Sequence, residues 1–285
     1  MPEAVIPVSD GGGNVTNAVV PITLSSPSRI MLGVSHNSFD DFVSKVGPQA
    51  AIRLYTAVQG ITGSFWVQAR NRAAQGVLPV VTCKRMDTSF YNTIRNEVET
   101  WDMRPVLDFF HEPEDNIEGG EFTAATYINN FRAFSNALQD VADIAWNVMA
   151  WTWNPSSGRD PLTYWPGDQY VDIVAADGYQ RDDATYPFTT WPSIFDPVAA
   201  FAATHGKRFA IYEYGVESGT TQPGVTSEER AQSLRDFRAW ATDRPELDMA
   251  LYWESQTTND YQFRNDPIVR AAYQEMMADP IFQRI

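Results

Sequence analysis

Residues 29–285 predict one (β/α)8, or TIM, barrel, with an N-terminal extension over residues 1–28. Three observations carry this expectation. Eight short runs rich in β-branched and aromatic residues alternate with amphipathic stretches, as parallel strands joined by crossover helices do. The repeats fill roughly 250 residues, the usual length of an eightfold barrel. No GxGxxG follows the first run and no GxxxxGK[ST] occurs anywhere, so nucleotide-binding open sheets lose support.

The runs read as strands are RIMLGVSH (29–36), AAIRLYT (50–56), VLPVVTCKR (77–85) and RPVLDFFHE (104–112). AWNVMAWTWN (145–154), VDIVAADGY (171–179), RFAIYEYG (208–215) and DMALYWES (248–255) complete the eight. Helices are expected near 64–75, 88–100, 122–140, 190–204, 226–241 and 267–278. The 226–241 stretch is the clearest of them. Thr226 is placed to cap, Glu228 and Glu229 put acids in the first turn, and Ala231, Leu234, Phe237 and Trp240 recur at helical spacing. Trp66, Trp146 and Trp240 are expected between helices and barrel. Residues 1–28 are rich in Gly, Ser, Pro and Val, with GGG at 11–13 and SSPS at 25–28, the composition of a linker or strap.

Bulk properties narrow the function. A net charge of −15 argues against nucleic acid, whose phosphates need clustered Lys and Arg. No run approaches the roughly 18 apolar residues of a membrane span. The single Cys83 excludes an internal disulfide, and His36, His111 and His205 lie far apart in sequence. No metal or other cofactor is expected. The first residues lack the basic and apolar regions of a signal peptide. With the linker-like start, this suggests part of a larger secreted polypeptide or virion assembly, acting outside a cell.

Barrels of this kind work at the C-terminal ends of their strands. The tips read Ser35-His36-Asn37, Arg53 with Tyr55, Lys84-Arg85, His111-Glu112, Trp153-Asn154, Asp177 with Tyr179, Glu213 and Trp253. Polar strand ends are common, but two glutamates on the fourth and seventh strands are not explained by that alone. Strand alternation groups Val106, Asp108, Phe110 and Glu112 on one face, and Phe209, Ile211 and Glu213 on another. If those faces turn to the axis, both glutamates enter the mouth, and His111 turns away from it in a supporting role. Trp253 inward would turn Glu254 outward.

A facing carboxyl pair is the equipment of glycoside hydrolysis. Glu213 is expected to be ionised, with Arg53 and the Tyr179 hydroxyl favouring its charge, and so to act as nucleophile. Glu112, beside Phe110 and without an evident cation, is expected to carry the proton of the acid/base. Trp253, Trp153 and Trp151 are the preferred surfaces for stacking sugar rings, with Trp165 and Trp191 behind them. His36, Asn154 and Asp177 complete the candidate set.

The glutamate pair, the His-Glu of the fourth strand and the stretches YWPGDQYVDIVAADGY (164–179) and IYEYG resemble family 26 of the glycoside hydrolases. The resemblance spans most of residues 29–278. It implies a retaining enzyme with Glu112 as acid/base, Glu213 as nucleophile, Tyr179 on the nucleophile and Trp253 under the cleaved sugar. The family includes β-mannanases and endo-β-glucanases. PEDNIEGG after Glu112 and CKRMD at the third tip differ from its mannanases, which points away from mannan. The expected function is a retaining endo-glycosidase degrading a polysaccharide. A carbohydrate-binding or envelope-glycan attachment module, as in a phage tail, is the alternative.

Overall fold

The computed structural model of the chain describes residues 3–9, 15–21, 29–35, 38–56, 60–181, 189–218, 225–256 and 260–282. Within the N-terminal extension, β1 (Glu3–Ser9) and β2 (Val15–Pro21) pair antiparallel, from Glu3 opposite Pro21 to Ser9 opposite Val15. The GGG and SSPS stretches lie outside the described residues.

Eight parallel strands then close a barrel. They are β3 (Met31–Ser35), β4 (Ala51–Tyr55), β5 (Leu78–Cys83), β6 (Val106–Phe109), β7 (Asp143–Met149), β8 (Ile173–Gln180), β9 (Arg208–Val216) and β10 (Leu247–Trp253). Each pairs with its sequence neighbour, and β10 returns to pair with β3. All eight fall where the apolar runs place them. The fourth and fifth strands end earlier than the runs suggest, at Phe109 and Met149 rather than 112 and 154.

The expected helices are present as α2 (Ser64–Ala74), α3 (Thr88–Val98), α5 (Ala124–Leu138), α6 (Trp191–Thr204), α7 (Ser227–Thr242) and α8 (Pro267–Met277). Two more were not expected, α1 (Phe39–Val46) and α4 (Pro113–Glu118). Thr226 and Glu229 form a complete capping box at α7, each side chain accepting from the other's end of the turn. Trp66 and Trp146 are fully buried and Trp240 nearly so, among the side chains between helices and barrel.

Inside the barrel the lower layers are apolar. Ala51, Val80, Val106, Ala145, Ile173, Ala175, Ala210, Tyr212, Met249 and Leu251 form one buried cluster, distinct from the larger one outside the strands. This partition reveals which face of each strand points inward, and thus which tip residues reach the mouth. The interior is tight at Gly33, where a Cβ would stand 2.4 Å from the Ala51 carbonyl oxygen and 2.5 Å from Leu251 Cδ2. Gly33→Ala is therefore expected to cost about 1–3 kcal/mol by overpacking. Urea denaturation should show a lower midpoint with an unchanged slope.

Candidate active site

Above the apolar layers, five of the inward series end in a polar group. Arg53 follows Ala51 on β4, Thr82 follows Val80 on β5, Asp108 follows Val106 on β6, Asn147 follows Ala145 on β7, and Asp177 follows Ala175 on β8. Arg53 is 1 % exposed and sits at the centre. It donates from Nη1 to Asp177 Oδ1 at 2.9 Å and to Glu213 Oε1 at 2.8 Å. Nη2 reaches Asp108 Oδ2 at 2.9 Å, and Nε reaches Thr82 Oγ1 at 3.2 Å. Asn147 Nδ2 joins the other side, donating to Asp177 Oδ2 at 3.0 Å.

Glu213 does not arrive by the alternation expected of it. Phe209 and Ile211 pack outside the barrel and Ala210 and Tyr212 inside, so regular alternation would send Glu213 outward. The register shifts on both sides of β9 at this point: Ile211 lies opposite Ala176 while Glu213 lies opposite Asp177, and the pairing with β10 slips between Ile211 and Tyr214. This is a β-bulge, and it turns Tyr212 and Glu213 inward together while returning Tyr214 to the outer core. Three donors then meet the carboxylate: Arg53, the Tyr55 hydroxyl and the Tyr179 hydroxyl. Burial raises the Tyr55 phenol well above its ordinary range, so it stays a donor.

Glu112 also departs from a simple strand reading. β6 ends at Phe109, and Phe110 and Glu112 both have φ of 49°, the only described non-glycine residues in the left-handed region. Phe110 packs into the outer core, with its ring 4.9 Å from that of Phe122. Glu112 is the residue before α4, whose Pro113 starts the helix with no N–H to leave unpaired. Its backbone N–H donates to the Asn147 carbonyl at 3.1 Å, and its half-buried carboxyl has no hydrogen-bond donor among the described residues. Burial, then the charges of Glu213 and Glu114, push Glu112 up to about 8. Burial and Asp177 push Glu213 up to about 8 as well, while Arg53 and Tyr55 pull against them. Only Glu213 has donors aimed at its oxygens, so a proton shared by the pair rests on Glu112.

His111 is corrected by the same turn. Alternation does not extend past Phe109, and the imidazole faces the mouth, its ring 5.2 Å from Tyr55. Burial, Arg53 and Lys84 hold its pKa well below the usual value, so it is neutral. Trp253 also packs edge-on to Tyr55, with centroids 5.8 Å apart, and stays partly exposed at the mouth. Tyr179 is backed by Tyr261 at 4.9 Å. Gly215 leaves room for that pair, since a Cβ there would come within 2.9 Å of Tyr261. Arg181 donates to the Tyr261 hydroxyl at 2.9 Å.

Several expected residues do not join this site. Trp153 lies in a 3-10 turn (Ala150–Trp153) and packs on Trp146 and Phe201 in the outer layer. Trp165 packs in the same cluster, and Trp191 is 1 % exposed with its indole N–H on the Ser233 carbonyl. Asn154 caps the next turn, accepting from the Ser156 N–H. The β-forming run continues past Met149, but the chain turns there, so the inward polar residue of the fifth strand is Asn147. Trp151 is partly exposed in the same 3-10 turn at the mouth end of β7. His36 lies outside the described residues. Glu254 does face outward, where it accepts from the Phe263 and Arg264 N–H groups and from the Arg264 guanidinium.

A family model described as Glycosyl hydrolase family 26 matches residues 118–243, a span that holds Asn147, Asp177, Tyr179 and Glu213 and begins after Glu112. The chain is glycosyl hydrolase family 26-like. Among solved structures it is similar to GH26C from Muricauda sp., at TM-score 0.69 and 12% identity, covering 90% of this chain and 87% of that one. It is also similar to the modular endo-beta-1,4-mannanase of Cellulomonas fimi, at TM-score 0.65 and 16% identity, over 90% and 72% of the two chains. A GH128 endo-beta-1,3-glucanase from Amycolatopsis mediterranei follows at TM-score 0.56 and 15% identity, over 86% and 99%. At these identities the likeness is one of fold. A comparison with curated proteins returns no match.

The raised proton affinity of Glu112 has a consequence for stability. A carboxyl with a folded pKa near 8 and an unfolded one near 4.5 binds more protons when folded. It therefore costs stability progressively as pH rises from 4.5 through 8. Glu112→Gln is expected to match the native chain at pH 4 and to exceed it by up to about 4 kcal/mol at pH 8. Denaturant midpoints across that range would check it.

Proposed function

We propose that this family 26-like chain is a retaining endo-glycosidase that cleaves a polysaccharide by double displacement. The observation that carries the reading is the unequal pair at the mouth. Glu213 has three donors holding its oxygens, whereas Glu112 has none among the described residues and keeps its proton. In the first step Glu213 attacks the anomeric carbon while Glu112 protonates the departing glycosidic oxygen. In the second, Glu112 takes a proton from water as that water attacks the glycosyl-enzyme at the same carbon. Two inversions at one centre retain its configuration. Trp253 and Trp151 are the aromatic surfaces left at the mouth for sugar rings, and His111 lines it as a neutral group.

Attack by Glu213 requires that Arg53, Tyr55 and Tyr179 release its charge as the new bond forms. Preorganised donors of this kind also suit the carboxylate that leaves in the second step. The family likeness supports a β-linked polysaccharide as the substrate class.

The test is a screen of β-mannan, β-glucan and xylan with analysis of released oligosaccharides, followed by variants on the responsive substrate. Glu112→Ala and Glu213→Ala are each expected to lose at least about 10³-fold in turnover while remaining folded. Turnover kept by Glu213→Ala would overturn the mechanism, and an inverted anomer seen by NMR just after cleavage would overturn retention. The rate should also vary with pH as a bell. The pair titrates as a unit, and its basic limb, where the shared proton leaves, is expected close to pH 8.

A further inference from the structure

Glu114 is fully buried two residues beyond Glu112, and nothing in the double displacement uses it. Its surroundings are built. Oε1 accepts from the Met149 N–H at 2.9 Å and from the Thr152 hydroxyl at 2.5 Å. Oε2 is buried with no hydrogen-bond partner among the described residues. The strand pairing explains why a carboxylate stands here. β6 and β7 pair through Val106 with Asp143, Leu107 with Ile144 and Asp108 with Ala145, and then β6 stops. Beyond that point the Glu112 N–H still finds the Asn147 carbonyl, but α4 turns away and β6 offers no carbonyl for Met149. The Glu114 side chain supplies the missing acceptor. The turn holding the left-handed residue Glu112 is thereby tied to β7 at two points, by the Glu112 N–H on Asn147 and by the Glu114 side chain on Met149. Left-handed non-glycine conformations cost about 1–3 kcal/mol and persist only where surroundings enforce them.

We propose that Glu114 is a positioning residue for the acid/base, locking the turn that carries Glu112 to the end of β7 through Met149 and Thr152. The inference rests on the reading of Glu112 as acid/base. Charge adds to the geometry. Glu112 faces Glu213 on β9, Arg53 on β4, Asp177 on β8 and Lys84 beyond β5, with Glu114 behind it. Glu114 in turn faces Arg159, whose guanidinium is held by Asp115 and Glu118, with Tyr127 on α5 and Tyr164. Burial pushes Glu114 itself up to about 7, so near pH 8 it is mostly charged and favours a proton on Glu112, in the same direction as burial does.

The role predicts a defect selective for leaving groups that need protonation. The chain and its variants are compared on 2,4-dinitrophenyl and phenyl β-mannobiosides and β-cellobiosides, by pre-steady-state release of the phenol. Glu114→Ala is expected to lose at least about 10-fold on the phenyl glycoside and less than about 3-fold on the dinitrophenyl one, whose departure needs little acid. Glu114→Gln keeps an acceptor for Met149 and restores the phenyl rate. Without the charge, its basic pH limb moves to lower pH. Thr152→Val gives a smaller loss of the same selective kind and carries the test if Glu114→Ala does not fold. Equal losses on both leaving groups, or none on either, overturn the proposal. Glu112→Ala is the control. If it lacks leaving-group selectivity, the acid/base reading fails first and this inference with it.

Discussion

One guanidinium inside the barrel organises everything above it. Arg53 is 1 % exposed and meets Asp108, Asp177 and Glu213 at once. An isolated ion at such depth would be prohibitive, and each charge there is tolerable only because the others are paired with it. Arginine suits the position because its planar fork has several donors in fixed directions, whereas an ammonium could not reach three carboxylates without bending its stem. Four carboxyls around one cation, counting Glu112, still leave an excess of negative charge. Burial raises Asp108, and burial, with the charges of Glu112 and Asp108 behind it, pushes Asp177 up to about 8. The cluster therefore retains protons at neutral pH, and the member without donors holds one most firmly. In the proposed mechanism, the division of labour between the two glutamates would follow from where Arg53 points.

Two backbone irregularities deliver the glutamates to that cation. A bulge in β9 turns Glu213 inward, and a left-handed turn after β6 swings Glu112 over the mouth. Neither is a property of a regular strand. Each sits at the point where the barrel's apolar layers give way to its polar one, so the distortion is confined to the level of the chemistry. The strands beneath keep their pairing and their packing.

This explains what was legible in the residues and what was not. The eight strands could be read because each is a short run rich in β-branched and aromatic residues, buried on both faces, and six of the eight described helices because amphipathic stretches separate those runs, most clearly at the capped α7. Helix α4 could not, since six residues of PEDNIE contain no helical apolar stripe. Both glutamates were found by their strand ends, yet the face assigned on the seventh strand was wrong, because a bulge leaves no mark in IYEYG. His111 was turned away from the mouth by the same reliance on alternation. Asn154 and Trp153 were drawn in because AWTW reads as strand after Met149 as well as before it. The interior partners Thr82, Asp108 and Asn147 had a usable signal. Each lies two residues beyond a small or branched apolar residue on the inward face, an interruption that a purely apolar barrel would not contain.

The aromatic content then divides by position. Trp66, Trp146, Trp153, Trp165, Trp191 and Trp240 pack between barrel and helices, as expected where large rings fill the taper between a cylinder and its outer ring. At the mouth the aromatic groups are linked: Trp253 and His111 both abut Tyr55, and Tyr261 backs Tyr179. Tyr55 and Tyr179 are the two hydroxyls that hold Glu213. The rings that would meet a sugar thus also restrain the donors on the carboxylate that would attack it. A substituent that displaced Trp253 would loosen Tyr55, and through it the orientation of Glu213. In the proposed mechanism, substrate contact and nucleophile orientation would be mechanically one unit, because aromatic packing supplies the rigidity that a preorganised site requires.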